Sequence, residues 1–533
     1  MPPKRKTGET GRLSAGTVTE EGEPVGATAR PGTPLTAIRS SLGHSRSVSS
    51  PSSRPAVAIV GGGVAGISAA FFLRDRGVTV TVLEGGSRLG GKLAVSEVAG
   101  VAVDEGAEAL LARRPEGTDL IGAVGLADQL ESPGTTAAAI WTRGRMCPLP
   151  KRQFMGVPAD LNELERSGIL SSAGLARARD DLRLPPTARD GDVPVASYVG
   201  ARFGPELVDR LVDPLLGGVY AGRSDELSFE ATLGGLAQAS RNYPSLAAAA
   251  ESLLPAPGTT PAAPPVPVFT TLRGGLGTLP AAVAAQSGAT VRTGAMTREL
   301  VRTVNGDGGP GWRLTIGPTR APEWLDADAV ILAVPARPAS RLLSGLAGAG
   351  PAAAALGEIH YASMAIVTLA YRSGAFAHQP EGSGYLVPAV DGRAVKAVTF
   401  SSVKWPHLRA DPQNTDIVRC SVGRIGEEEV LQRDDAELGG VAAADLAAAT
   451  GVRGAPVDIR VSRWGGALPQ YTVGHRERVT RIRAAVATQP GLAVCGAVYD
   501  GVGIPACIAS ARLAADQVLA HLESRDARPA RVG

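Results

Sequence analysis

The chain has only four cysteines, Cys147, Cys420, Cys495 and Cys507, and none falls in a CxxC pair. That excludes a disulfide framework and a zinc site of the usual spacing, and makes a reducing compartment the default. An excess of charge of one sign is also missing, with a formal net charge of +3. The first 55 residues hold eight Lys and Arg against four Asp and Glu, and the rest of the chain 46 against 47. So neutral a body argues against nucleic acid as a partner. No apolar run reaches the ~18 residues of a spanning helix. The opening MPPKRKTGETGRLSAG has no apolar segment, so a secretory signal is not expected. His360, His378, His407 and His475 stand singly. They suggest neither a metal set nor a general base, and no side chain is assigned as catalytic.

What the chain does have is 533 residues, 44% of them hydrophobic. That predicts two or more domains or one large composite body. Residues 1–54, rich in Ser, Thr, Gly, Pro and Arg, read as a disordered extension, with PKRK as part of a solvated tail. LLPAPGTTPAAPPVPVF, from Leu253 to Phe269, carries too many prolines for a helix and reads as an exposed excursion. Before it, roughly 150–250, the pattern is helical. After it, Trp312–Ile316 and Ala329–Val334 read as strands. No internal repeat is visible.

The most informative stretch is AVAIVGGGVAGISAAFFLRDRGVTVTVLEGGSRLGGKL, from Ala56 to Leu93. Ala56–Val60 reads as a buried parallel strand. Gly61, Gly63 and Gly66 form G-x-G-x-x-G, with Gly62, Val64 and Ala65 between them. A helix follows, with Gly77 as its stop, and a second apolar run, Val78–Leu83, ends at Glu84. Gly61 permits the tight turn, Gly63 lets backbone approach a pyrophosphate, and Gly66 lets helix and strand pack closely. The helix N-terminus offers free N–H groups to phosphate. Glu84 is placed to accept both ribose hydroxyls. This is a dinucleotide site, with nicotinamide and flavin dinucleotides both open at this point.

The far end has a matching unit. Gly491–Leu522 reads as strand (Leu492–Cys495), glycine loop with Gly496, Val502 and Gly503, then a helix opening near Pro505 or Ala506. Ile508, Leu513, Val518 and Leu522 sit at helical spacings. The N-terminus of that helix, near Ile504, can stabilise negative charge on a reduced ring system. Cys495 ends a strand and reads as core.

Together with SRLGGKL (Ser87–Leu93), these ends resemble FAD-containing amine oxidases and their relatives. The centre is more specific. RGRMCPLPKRQFMGVPADL, VDPLLGGVYAGRSDELSFEATL, FTTLRGGLGTLP, GSGYLVP, KWPHLRAD and RWGGALPQYTVGH resemble the bacterial porphyrinogen oxidases of haem synthesis over about residues 55–522. The resemblance implies an α/β fold: a composite Rossmann-like FAD-binding domain, a sheet-floored substrate domain and a helical insertion. The FAD-binding domain would comprise 55–112, 271–340 and 466–522, and the substrate domain 113–145 and 341–465. The helical insertion would span 146–250, the proline-rich loop 251–270 and a tail 523–533.

The same resemblance implies further FAD contacts at Gly85, Arg88, Gly91 and Lys92, at Gly106, Ala107, Glu108 and Ala109, and at Met296 and Trp464. Ala107 and Ala109 stand where relatives often carry Pro and Ser, and Ala506 where an Asp is common. The implied activity is oxidation of a porphyrinogen by removal of six hydrogens, with hydride passing to the flavin and dioxygen returning as hydrogen peroxide. Substrate propionates would meet Arg114 first and Arg113 second, since relatives carry a basic residue there and a guanidinium grips a carboxylate with two hydrogen bonds. Tyr385 and Phe400 are candidates for the ring cavity, though core packing explains them nearly as well. Coproporphyrinogen III, a tetra-acid, is preferred over protoporphyrinogen IX. An amine oxidase or desaturase, and a non-catalytic FAD-binding protein, are the alternatives. The implied location is cytoplasmic, with room for peripheral membrane contact and for handover to the next haem-pathway enzyme.

Overall fold

The computed structural model describes residues 54–256, 267–305, 309–409 and 414–526. The N-terminal extension up to residue 53, most of the proline-rich excursion (257–266) and the last seven residues lie outside the described part.

Ala56–Val60 is the centre of a five-stranded parallel sheet. It lies between Thr79–Leu83 and Ala329–Leu332, with Thr290–Arg292 and Leu492–Val494 at the edges. A parallel sheet needs cover on both faces, which is why these runs are apolar at nearly every position. Val57 and Ile59 face the helices Val64–Leu73 and Ile504–Asp526. Ala58 and Val60 face the other way, toward the antiparallel meander Thr297–Val304, Pro310–Ile316 and Glu323–Ala327 and the helix Ala336–Ser344.

The C-terminal helix opens at Ile504, and its buried stripe runs Ile508, Ala511, Ala515, Val518, Leu522. Leu513, expected on that stripe, is instead 55% exposed. Alanines at 511 and 515 take the inner positions because the neighbouring helix packs too closely for a larger side chain.

A second, seven-stranded sheet has the order Asp458–Pro469, Tyr361–Arg372, Thr415–Val422, Val395–Phe400, Gly384–Leu386, Ala139–Thr142, Arg145–Pro148. On one face Val398, Phe400, Val418, Cys420 and Val422 pack against the helix Asp435–Thr450 through Leu438, Ala442 and Leu446. Tyr385 and Phe400 belong to this core, 3% and 5% exposed, so core packing is their role. The alternate residues point the other way, with Thr399 opposite Arg419 and Ala397 opposite Ser421. Ala397, Thr399 and Ser421 are only half-buried although they lie in the middle of a sheet.

The segment expected as a helical insertion, 146–250, does not open on a helix. Arg145–Pro148 is the edge strand of the large sheet and pairs with Ala139–Thr142 across the two-residue turn Arg143–Gly144. A short hairpin, Gln153–Phe154 with Val157–Pro158, follows. Helices begin only at Leu161, where Asp160 caps the first turn by accepting from the N–H of Asn162 and Glu163. The alternation in RMCP is too short to show as a strand without its partner. No described helix is long and apolar enough to cross a membrane.

Candidate functional site

The strands Ala56–Val60 and Leu492–Val494 end at the same edge of the parallel sheet, and a helix starts just beyond each. In open α/β sheets this edge is where ligands bind. The loop between the first strand and helix is crowded on its inner side. A Cβ at Gly66 would lie 1.9 Å from the Gly61 carbonyl oxygen. At Gly63 it would meet nothing within 4 Å. The loop thus has one open side, at the start of a helix whose first turn has no side-chain cap. Backbone N–H groups around an open anion-sized space fit a pyrophosphate.

Glu84 lies at that opening. Its carboxylate accepts from Gly62 N at 2.8 Å and from Gly86 N at 2.6 Å. A carboxylate has lone pairs to spare after two such bonds, so it can still accept from ribose hydroxyls. Gly85 packs against Met296, which is 51% exposed at the sheet edge. The second glycine turn closes the other side: Gly90 N donates to Gly62 O at 2.8 Å, and Gly91 lies within 3.3 Å of Gly63 as a Cβ would see it. Arg88 lies on that second turn. Its guanidinium donates to the carbonyls of Leu89, Gly91 and Leu93 and so braces its own turn. Burial pulls the Lys92 ammonium below its ordinary range, with Cys507 at the start of the last helix opposing the shift.

Gly106 is a glycine for steric reasons, since a Cβ there would lie 2.1 Å from Lys92 O and 3.3 Å from the Trp464 ring. The Trp464 indole N–H donates to Glu105 O at 2.9 Å. Ala107 is exposed and Ala109 half-buried. Glu108 sits in a charged cluster of its own. Its carboxylate is engaged by Lys404 Nζ at 2.7 Å and Arg419 Nη1 at 2.5 Å. Burial works to raise it, but the two cations win and hold it down to about 2. Behind it, burial pushes Asp104 up to about 6, although the N–H groups of Leu276 and Gly277 donate to its carboxylate at 3.0 and 2.9 Å. Lys404 opens the KWPHLRAD segment, but no motif paired it with Asp104 or Arg419, which come from separate segments. At the last helix, Gly496 and Val502 are half-buried, Gly503 exposed and Ile504 buried.

Arg114 lies one turn after Leu111, whose strand partner is Phe269. Leu111 and Phe269 are 39% and 43% exposed, and Lys404 Nζ sits 5.9 Å from the Phe269 ring. Two exposed apolar side chains beside the Glu108 cluster form a rim, with Arg113 and Arg114 next to it. Arg113 is exposed, and Arg114 pairs with Glu116 at 2.5 Å. A cleft of about 430 Å³ between Phe71, Phe72, Leu120 and Arg512 also has Glu116, the partner of Arg114, in its wall.

His475 is core. It is 1% exposed, stacks on Tyr471 at 3.8 Å between centroids, and is pushed down to about 4 by burial. In the unfolded chain it titrates near 6.5, so between about 6.5 and 4 the unfolded state binds the extra proton and stability falls as pH falls. Asp104, pushed up, titrates in an overlapping range with the opposite sign, so the comparison must be with a variant. His475→Gln is expected to lose about 2–3 kcal/mol less than wild type between pH 7 and 4.5. Urea unfolding at the two pH values measures this, and parallel losses in both proteins would show that His475 is not the cause.

Comparison with known proteins agrees with this geometry. The family of flavin containing amine oxidoreductases matches residues 64–519. The chain belongs to that family, and its cofactor is FAD. It is 38% identical over 478 residues to a coproporphyrinogen III oxidase of Mycobacterium tuberculosis, covering 88% of this chain and 98% of the relative. A Bacillus subtilis protein of the same name is 31% identical, with the same coverage of both. A solved structure from Exiguobacterium sp. 255-15, provisionally named protoporphyrinogen oxidase, superposes with a TM-score of 0.76 at 30% identity, over 88% of this chain and 99% of that one.

Proposed function

We propose that the chain oxidises coproporphyrinogen III to coproporphyrin III, with dioxygen as the final acceptor. The observation that carries this reading is the likeness to the Mycobacterium protein, which runs through the centre of the chain as well as both nucleotide-binding ends. Bound FAD supplies two-electron acceptance, so removal of six hydrogens takes three turnovers. The chain's own contribution is placement. The half-buried face of the large sheet, with Ala397, Thr399 and Ser421, offers a floor of small and hydroxyl side chains on which a flat macrocycle can lie. The contacts from Gly61–Glu84, Gly106–Ala109, Met296, Trp464 and Gly496–Ile504 would hold the cofactor, and the Leu111–Phe269 rim would admit substrate. No positioned general base is needed in this reading, since the pyrrole protons can pass to water.

Arg114, with Arg113 beside it, is the proposed propionate contact. Binding there exchanges Glu116 for substrate, so Arg114→Ala removes an attraction and also leaves Glu116 unneutralised. An exposed ion pair is worth on the order of 1 kcal/mol, so KM is expected to rise about fivefold with kcat nearly unchanged. Oxygen uptake and porphyrin fluorescence with coproporphyrinogen III and protoporphyrinogen IX test both points. A higher kcat/KM for protoporphyrinogen in wild type would reverse the substrate assignment. An unchanged KM in the variant would remove Arg114 from the site.

A further inference from the structure

The cluster around Glu108 has one feature that holding the turn does not require. Lys404, at the end of the short helix Ser401–Lys404, and Arg419, from the middle of the strand Thr415–Val422, converge on one carboxylate. Arg419 also donates to Gly106 O at 2.5 Å, and Ser401 Oγ lies 3.3 Å from the same carboxylate. The three charged side chains are 7–16% exposed. One cation would neutralise Glu108, and desolvating a second one is costly unless it does something else. Asp104 also faces them, already satisfied by the N–H groups of Leu276 and Gly277, and His407, paired with Glu131, lines the same small cavity.

The cluster stands close to the nucleotide loop. Gly106 lies against Lys92 O and the Trp464 ring, and the turn that ends at Lys92 is hydrogen-bonded to Gly62. Reduction of a flavin adds negative charge, and a fixed charge in a low-dielectric wall acts on it over several ångströms. We propose that Lys404, Arg419 and Glu108 set the reduction potential of the bound flavin through the balance of their charges on the Gly106–Ala109 turn. This rests on that turn being a flavin contact. The three are positioning residues with an electrostatic effect; none is assigned a contact with substrate.

The test is a dye-coupled reductive titration of the FAD-loaded protein, which needs no porphyrinogen. Lys404→Met removes a positive charge, and at fixed potential the ratio of oxidised to reduced flavin should rise about tenfold, which is about 30 mV for a two-electron couple. Glu108→Gln should lower the ratio by about as much. The double variant should return to within about twofold of wild type, whereas a brace that acts only sterically would make it the worst of the three. Lys404→Arg should match wild type. Single variants that shift the ratio in the same direction, or by less than about twofold with FAD still bound, would overturn the proposal. Arg419 still meets Glu108 in Lys404→Met, so that variant decides alone if Glu108→Gln does not fold. Wild-type protein that binds no FAD would refute the cofactor reading itself, and the proposal with it.

Discussion

Gly66→Ala is expected to give a folded protein that has lost its flavin colour. The added Cβ would sit 1.9 Å from the Gly61 carbonyl oxygen, 3.0 Å from its carbon and 3.3 Å from the Ala333 Cβ. Two of these are backbone atoms of the loop that holds the cofactor, and no side-chain rotation relieves the contact. Relief comes only if the helix Val64–Leu73 moves away from the strand. That helix is buried along most of its length and packs against the sheet and the C-terminal helix, so it can move only a little. Overpacking of this kind costs about 1–3 kcal/mol, and here the strain falls on the N–H groups that face the pyrophosphate. FAD affinity is expected to fall by about 5- to 150-fold. Equilibrium dialysis with FAD and far-UV circular dichroism measure the two halves of this expectation. A variant that binds FAD within threefold of wild type would show that the loop is not the pyrophosphate site. Gly63→Ala gives the complementary case, because its Cβ meets no protein atom and would enter the space left for the phosphates.

Arg202→Met is expected to destabilise the helical segment by about 3–5 kcal/mol without changing FAD affinity. Arg202 and Asp181 are 2% and 0% exposed and form an ion pair at 2.5 Å. The guanidinium also donates to the carbonyls of Asp181, Pro185 and Pro244, and so ties together three stretches of chain. Asp181 in turn accepts from the N–H of Leu246 and Ala247 at the start of the helix Leu246–Glu251. Methionine fills the volume but leaves a buried carboxylate with no cation and three carbonyls with no donor. The double variant Asp181→Leu, Arg202→Met removes the orphaned charge and is expected to be more stable than Arg202→Met alone. Urea denaturation followed by tryptophan fluorescence gives both values. A loss below about 1 kcal/mol in the single variant would mean that water reaches the site and screens the charge.

The nucleotide unit from Ala56 to Glu84 was legible because everything that defines it is local. Strand, turn, helix and second strand are contiguous, and the glycine spacing reports on contacts only a few residues apart. The resemblance in the centre of the chain led to the right family because it drew on whole segments. Neither route reached the partners of single side chains. Glu108 has its two cationic partners 296 and 311 residues further along the chain, where no local pattern could show them. The bonds of Arg88 were equally hidden, since only the folded glycine turn brings three carbonyls within its reach. Leu513 shows the same limit for burial, since a leucine on an apolar stripe proved to be exposed.

By itself the sequence determined the class of cofactor, the strand–turn–helix units that bind its ends and the period of their apolar faces. These follow from backbone sterics and hydrophobic spacing, which act over a few residues. The tertiary structure alone decided which charges meet, which polar groups are buried and which face of the large sheet is left open. Those depend on strands 20 to 300 residues apart being brought to about 5 Å, and an ion pair formed at that distance leaves no periodic trace along the chain.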